Sequence, residues 1–352
     1  MSAATRRFSR LIAWILVAAL LTAAALAFWQ WRDYQQFSDS PISLAADERL
    51  LEVERGDSFL DVLARMRAIG INEGHALQWR LLALEMDVLR RLQVGEYAVG
   101  HGITPRQLLR KLESGRVVQH RFTVVEGWRF SELRAALADH AALKQTLDGL
   151  GDDQVMALLE RPGQHPEGRF MPETYLFTRG TRDIDLLRRA MLAMERTLAD
   201  VWDARQPELP IASAEEALIL ASLIEKETGS AGERHEIAGV FARRLRIGMR
   251  LQTDPSVIYG MGESYRGRIG RAGLDTDTPY NTYTRDGLPP TPIAMPGRAA
   301  LLAAVDPAPG DSLYFVSKGD GSHHFSRTLA EHNRAVNRYI LRAGRASQGD
   351  AP

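Results

Sequence analysis

The sequence contains no cysteine. Disulfides, thiolate metal sites and a cysteine nucleophile are therefore excluded. That absence also suits an oxidising compartment, where a stray thiol is a liability. Net charge is missing too, since 44 Lys plus Arg balance 44 Asp plus Glu. A general polyanion binder is thereby disfavoured, and no nucleic-acid partner is expected. No glycine-rich phosphate loop, dinucleotide fingerprint or internal repeat occurs in the chain. His323, His324 and His332 fit no zinc spacing, so neither a metal nor another cofactor is expected.

Charge is absent in a second, local sense. From Leu11 to Trp29 the only polar residue is Thr22. As a helix at about 1.5 Å per residue this run can cross a hydrocarbon core of about 30 Å. Arg6, Arg7 and Arg10 precede it, and the positive-inside rule keeps such residues in the cytoplasm. Trp29 and Trp31 resemble interfacial anchors. Residues 1–10 thus read as a cytoplasmic N-terminus, 11–31 as an uncleaved transmembrane anchor and 32–48 as a polar tether. A signal peptide cleaved near Ala25-Leu26-Ala27 is the competing reading.

A small α+β region follows over 49–120. Leu51-Glu52-Val53-Glu54 alternates as a strand, and Asp57 or Ser58 can cap a helix through Leu63 to Met66. Glu96–Val99 reads as a second strand. Thr104 and Pro105 open a helix that Gly115 closes. The spacing from Val53 through Gly56-Asp57-Ser58 to Val62-Leu63 resembles the opening of LysM glycan-binding modules.

From Arg121 the texture changes. A strand at Phe122–Val125 leads to helices over Ser131–Leu137 and Asp183–Asp203, with a proline- and glycine-rich stretch at Pro166–Tyr175 between them. Ser213-Ala214-Glu215-Glu216 predicts a capping box. The helix it opens, Ala217–Ile224, is apolar almost all round and is therefore expected to be buried on nearly every side. It delivers Glu225, Lys226 and Glu227 before Gly229. Burial and the negative end of the helix dipole both disfavour ionisation there. A glutamate that keeps its proton near neutral pH is what a general acid needs.

At about 100° per residue Glu227 falls on the stripe of Leu220, Leu223 and Ile224, and Glu225 points nearly opposite. Glu227 is thus the first candidate and Glu225 the second. The plainer alternative pairs one or both with Lys226 or with an arginine of the next helix. That helix runs from about Glu233 to Ile247, and its row of Arg243, Arg244, Arg246 and Arg250 reads as a solvated face rather than a polymer-binding one. Gln252, Asp254, Asn281 and Tyr283 supply amide, carboxylate and phenol groups suited to sugar hydroxyls and N-acetyl groups. A long loop runs through Pro279–Tyr283, Gly287–Pro290 and Ala294–Gly297. Residues 343–352 read as a flexible tail.

Several of these stretches together resemble the YceG-like family of endolytic murein transglycosylases. They are Val125-Glu126-Gly127, Met171–Tyr175, Ala221–Thr228, Arg244–Pro255, Tyr280–Tyr283, Gly287–Pro290 and Tyr314–Val316. The resemblance implies an α+β protein with an N-terminal transmembrane helix, a LysM-like module and a mixed α/β catalytic domain over 121–342 built on a buried helix. It implies Glu227 as the catalytic residue; Glu225, Gln252, Asp254, Asn281 and Tyr283 remain the candidates for contacting substrate. The implied reaction cuts the MurNAc–GlcNAc β-1,4 bond of nascent glycan strands, leaves a 1,6-anhydro-MurNAc end and ends strand elongation. Implied partners are peptidoglycan strands and peptidoglycan synthases. The implied place is the bacterial inner membrane, single-pass, with the C-terminal domain in the periplasm. A non-enzymatic, membrane-anchored glycan-binding scaffold of cell-wall synthesis is the alternative.

Overall fold

The computed structural model describes residues 3–45, 47–230 and 232–341. Met1 and Ser2 of the expected cytoplasmic segment lie outside the described residues, as do residue 342 and the expected tail 343–352. The chain divides after His120 into two compact units.

In the first unit, helix α1 spans Ala3–Asp39. Its stretch Leu11–Asp39 is long and apolar enough to cross a membrane, and none of its most apolar window is buried in the protein. The helix does not stop where a tether was expected. Asp33 accepts a bond from Gln78 at 2.8 Å, and Phe37 packs edge-on against Trp79 at 5.2 Å. Ile42 is fully buried, and its N–H bonds the Ile103 carbonyl at 2.8 Å. Residues 33–44 are thus part of this unit rather than a free linker. A few aromatic and branched residues outweigh a polar average when they alone meet the core.

Strand β1 (Glu48–Val53), helices α2 (Phe59–Ala68) and α3 (Ala76–Glu85), strand β2 (Gly95–Gly100) and helix α4 (Pro105–Ser114) follow. β1 and β2 pair antiparallel, from Glu48 opposite Gly100 to Val53 opposite Gly95. Ser58 caps α2 with Asp61 closing the box, and Thr104 does the same for α4 with Gln107. Gly115 ends α4 at φ 65°, where a glycine avoids the Cβ clash.

Strand β3 (His120–Thr123) begins at the boundary, and the second unit continues with α5 (Phe130–Ala138), α6 (Asp152–Leu158), β4 (Thr174–Phe177) and α7 (Asp183–Asp203), with β3 beside β4. Then come α8 (Ala214–Glu227), α9 (Arg234–Arg246), α10 (Asp254–Met261), α11 (Arg271–Asp275) and α12 (Arg298–Val305). An antiparallel ribbon, β5 (Tyr314–Ser317) and β6 (His323–Ser326), and helix α13 (Leu329–Val336) complete it. The unit is chiefly helical, and its strands form two-stranded ribbons rather than a broad sheet.

α8 is its axis. Every residue from Ala217 to Ile224 is buried, and α7, α9, α10 and α12 pack around the helix. Its cap is half the expected box. Ser213 accepts the Glu216 N–H at 3.2 Å, but Glu216 reaches past it to the Ala212 N–H at 2.6 Å. Its end differs too: Thr228 turns into extended backbone at φ −145°, so no left-handed glycine is needed as a stop.

Candidate active site

The last turn of α8 separates two carboxyls that lie two residues apart. Glu225, with 6% of its side chain exposed, accepts the Gly297 N–H at 2.9 Å and faces Arg234 of α9 at 3.5 Å. Desolvation raises its pKa, Glu126 adds to the rise, and the Gly297 and Arg234 contacts oppose it. Both oxygens are thus engaged by protein groups.

Glu227 faces a pocket of about 310 Å³ together with Gln252, Asp254, Tyr283, Arg244 and His332. The residue is partly exposed, and its carboxyl is strongly desolvated. Desolvation pushes its pKa up to about 7, and neighbouring Asp254 adds to the rise. The Thr253 hydroxyl, which donates to Oε1, pulls the other way, as do His323 and Arg244. The remaining oxygen, Oε2, has no partner among the described residues. A protonated Glu227 can therefore accept from Thr253 with one oxygen and offer its proton to the pocket with the other.

The segment that carries Thr253 is sewn down. Gln252 takes a left-handed backbone, φ 48°, and its N–H bonds the Thr282 carbonyl at 3.1 Å. The Thr253 N–H bonds the Thr282 hydroxyl at 3.0 Å, and that hydroxyl lies 2.9 Å from Ser256 Oγ. Opposite Gln252, the Tyr283 hydroxyl donates to Asp254 at 2.6 Å. The pocket rim is thus fixed by two short strings of hydroxyls, 252–256 and 281–283.

Four of the residues expected at the site, Glu227, Gln252, Asp254 and Tyr283, are brought together. Two are not. Glu225 lines no part of this pocket, because a helix buried all round has a protein wall on the face opposite Glu227 as well. Asn281, 1% exposed, spends its amide on the carbonyls of Leu274 at 2.9 Å and Thr276 at 2.7 Å and accepts the Tyr283 N–H at 2.9 Å. Its side chain holds the loop behind Tyr283 and does not line the pocket.

The arginine row also departs from expectation. Arg243 donates to the carbonyls of Ser312 and Ala308, and Arg250 to Asp286 and Tyr283. Arg244 is 6% exposed and lies in the pocket wall. Arg246 and Arg250 are exposed, so the solvated face holds for part of the row and fails at Arg244. Sequence reasoning also missed Glu167, a buried carboxyl that accepts from Phe130 N–H at 2.9 Å and Tyr259 hydroxyl at 3.1 Å, and whose pKa desolvation pushes up to about 7. The only hint was an acid near the start of the proline- and glycine-rich stretch Pro166–Tyr175. No group of three or more metal-ligating side chains occurs among the described residues. Larger cavities occur elsewhere, one of about 450 Å³ beside Asp183. That carboxylate already accepts from Thr146 and Leu147, so volume without free chemistry marks no site there.

One carboxyl with a raised pKa thus lines a pocket of hydroxyl, amide and carboxylate groups, the arrangement a general acid requires. Residues 51–338 match the model of the YceG-like family, and the chain belongs to that family. It is 34% identical over 265 residues to the endolytic murein transglycosylase of Bacillus subtilis (strain 168), covering 70% of this chain and 73% of that protein. To the protein of the same name from Streptococcus pneumoniae serotype 2 it is 24% identical over 363 residues, or 92% of this chain and 65% of that one. The crystal structure of a yceG-like protein from Listeria monocytogenes superposes with a TM-score of 0.53 at 28% identity, covering 83% of this chain and 100% of that one.

Proposed function

We propose that the chain is a lytic transglycosylase of peptidoglycan, with Glu227 as its single acid and base. Protonated Glu227 donates to the glycosidic oxygen between MurNAc and GlcNAc as the bond to the anomeric carbon breaks. The carboxylate then takes the proton of the MurNAc 6-hydroxyl, whose oxygen bonds that carbon to give a 1,6-anhydro end. The nucleophile belongs to the substrate, so effective molarity replaces an activated water. One observation carries this reading: a desolvated carboxyl, held through one oxygen by Thr253, with its other oxygen open to the pocket. The names of the Bacillus and Streptococcus relatives supply the substrate and the type of cut.

Gln252, Asp254 and Tyr283 position the sugar in this reading. Helix α1 anchors the chain, with Arg6, Arg7 and Arg10 on the cytoplasmic side and both units on the periplasmic face. The region 49–120 then acts as a LysM-like glycan holder. Residues 121–342 cut nascent strands and end their elongation, in the company of peptidoglycan synthases.

A hydrolase is the second reading, favoured by Asp254 as a second carboxylate in the same pocket. Purified sacculi incubated with the full chain and with Glu227→Gln separate these readings by mass spectrometry. The transglycosylase leaves ends lighter by one water than a hydrolase does. Reducing MurNAc ends from the unsubstituted chain would convert the assignment to hydrolysis. Undiminished cutting by Glu227→Gln would remove Glu227 from the chemistry.

A further inference from the structure

Arg244 is a cation in the pocket wall with no salt bridge among the described residues, and the acid that acts on it electrostatically, Glu227, is the one that keeps its proton. Its Nε donates to the Leu313 carbonyl at 2.6 Å, and Nη1 donates to those of Leu251 at 2.7 Å and Arg250 at 3.3 Å. Its Cζ lies 5.2 Å from the Tyr314 ring centroid. Nη2 donates to nothing among the described residues, and it is not one of the buried atoms sealed away without a partner. It is therefore left facing the pocket. Burying a guanidinium without a counter-charge is costly, and three carbonyls offset only part of that cost.

His332 of α13 lines the same pocket and stacks on Tyr314, with ring centroids 5.3 Å apart and planes at 24°. Its Nδ1 is buried with no partner. A second ring proton would leave an N–H without an acceptor beside Arg244, and burial and Arg244 both oppose it. The single proton then belongs on Nε2, which makes the imidazole a second donor.

The geometry points to Arg244 and His332 as a receptor for an acyl oxygen of the sugar. That oxygen is the carbonyl or carboxylate of the lactyl ether, the group that distinguishes a muramyl residue from N-acetylglucosamine. The inference rests on the reading of this pocket as a glycan site. An acetamido oxygen, common to both sugars, needs only neutral donors, and the Gln252 side-chain amide offers one. A permanent cation with no salt bridge among the described residues fits a carboxyl-derived group better. Recognition at this point would make the pocket prefer murein to chitin.

The test uses the full chain carrying Glu227→Gln, titrated with three oligosaccharides of equal length. These are murein oligomers with stem peptides, the same oligomers stripped of peptide by an amidase, and chitin oligomers. Both murein ligands are expected to bind about ten-fold or more tighter than chitin. Adding Arg244→Met or His332→Phe is expected to bring that ratio toward one and leave chitin affinity unchanged. A larger Arg244→Met loss on the stripped oligomer identifies the carboxylate as the contact. Equal losses identify the amide carbonyl. His332→Phe keeps the stack on Tyr314, so it carries the test if Arg244→Met unfolds. A murein preference that survives both substitutions, or a parallel loss of chitin binding, overturns the proposal. Failure of the catalytic reading appears elsewhere, as glycan cutting by Glu227→Gln, and leaves this ratio unmoved.

Discussion

Glu225 and Glu227 leave the same helix two residues apart and meet opposite fates. Burial raises the pKa of both. Glu225 is matched on each oxygen by protein, Gly297 on one and Arg234 on the other. Glu227 is matched on one oxygen only, by Thr253. A carboxyl offers about four acceptor sites or, when protonated, a donor as well. Desolvation alone therefore makes a weak acid, whereas an unspent oxygen makes one that can act on something else.

The comparison breaks most sharply at Glu227→Gln. The substitution keeps the shape and the bond from Thr253 but removes the transferable proton. Release of anhydro ends is expected to fall about a thousand-fold, within the range of general acid–base catalysis. Glu225→Gln should stay within about five-fold of the unsubstituted chain. Equal inactivation of the two glutamine variants would erase the distinction between the carboxyls.

The next effect concerns stability and reverses the roles. Glu225→Ala leaves Arg234 and the Gly297 N–H without their acceptor in a closed site. A loss of about 3 kcal/mol in urea unfolding is expected from stranding one member of a buried pair. Glu227→Gln should do the opposite at high pH. The folded-state pKa of Glu227, about 7, lies above the 4.5 of an ordinary glutamate. The native state thus holds a proton that the unfolded chain has lost, and this contribution is complete below about pH 4.5 and gone above about pH 7. The glutamine variant is spared that loss and should gain about 3 kcal/mol at pH 8 and nothing at pH 4. A gain equal at both pH values would mean that burial does not hold the Glu227 proton.

Much of this contrast was legible in the chain. The uninterrupted apolar run of α8 announced a helix buried on all sides, and the position of Glu227 on the stripe of Leu220, Leu223 and Ile224 singled it out. The groups that spend Glu225 were half visible: an arginine of the next helix was foreseen, but the Gly297 N–H comes from 72 residues downstream. Arg244 was hidden for the same reason. In a row of four arginines nothing local marks the one whose acceptors include a carbonyl 69 residues away. Asn281 misled because an amide that shapes a turn and one that binds sugar look alike in sequence. The expected tether failed where Phe37 and Ile42, few among polar neighbours, alone decide burial.

Thr253→Val gives the smallest and most discriminating effect. Thr253 precedes α10 without capping it through its side chain, so the change leaves the helix start intact. Activity needs the protonated acid, so the unsubstituted chain should hold its rate below about pH 7 and lose it about ten-fold per unit above. The bond from Thr253 lowers the Glu227 pKa. Its removal should therefore move the alkaline limb of kcat/KM to higher pH, while the rate at pH 5 falls about ten-fold through looser positioning. A merely structural threonine would lower the rate without moving the limb. A limb that shifts downward would mean that Thr253 stabilises the neutral acid rather than the carboxylate, and that the free oxygen of Glu227 is not where its proton resides.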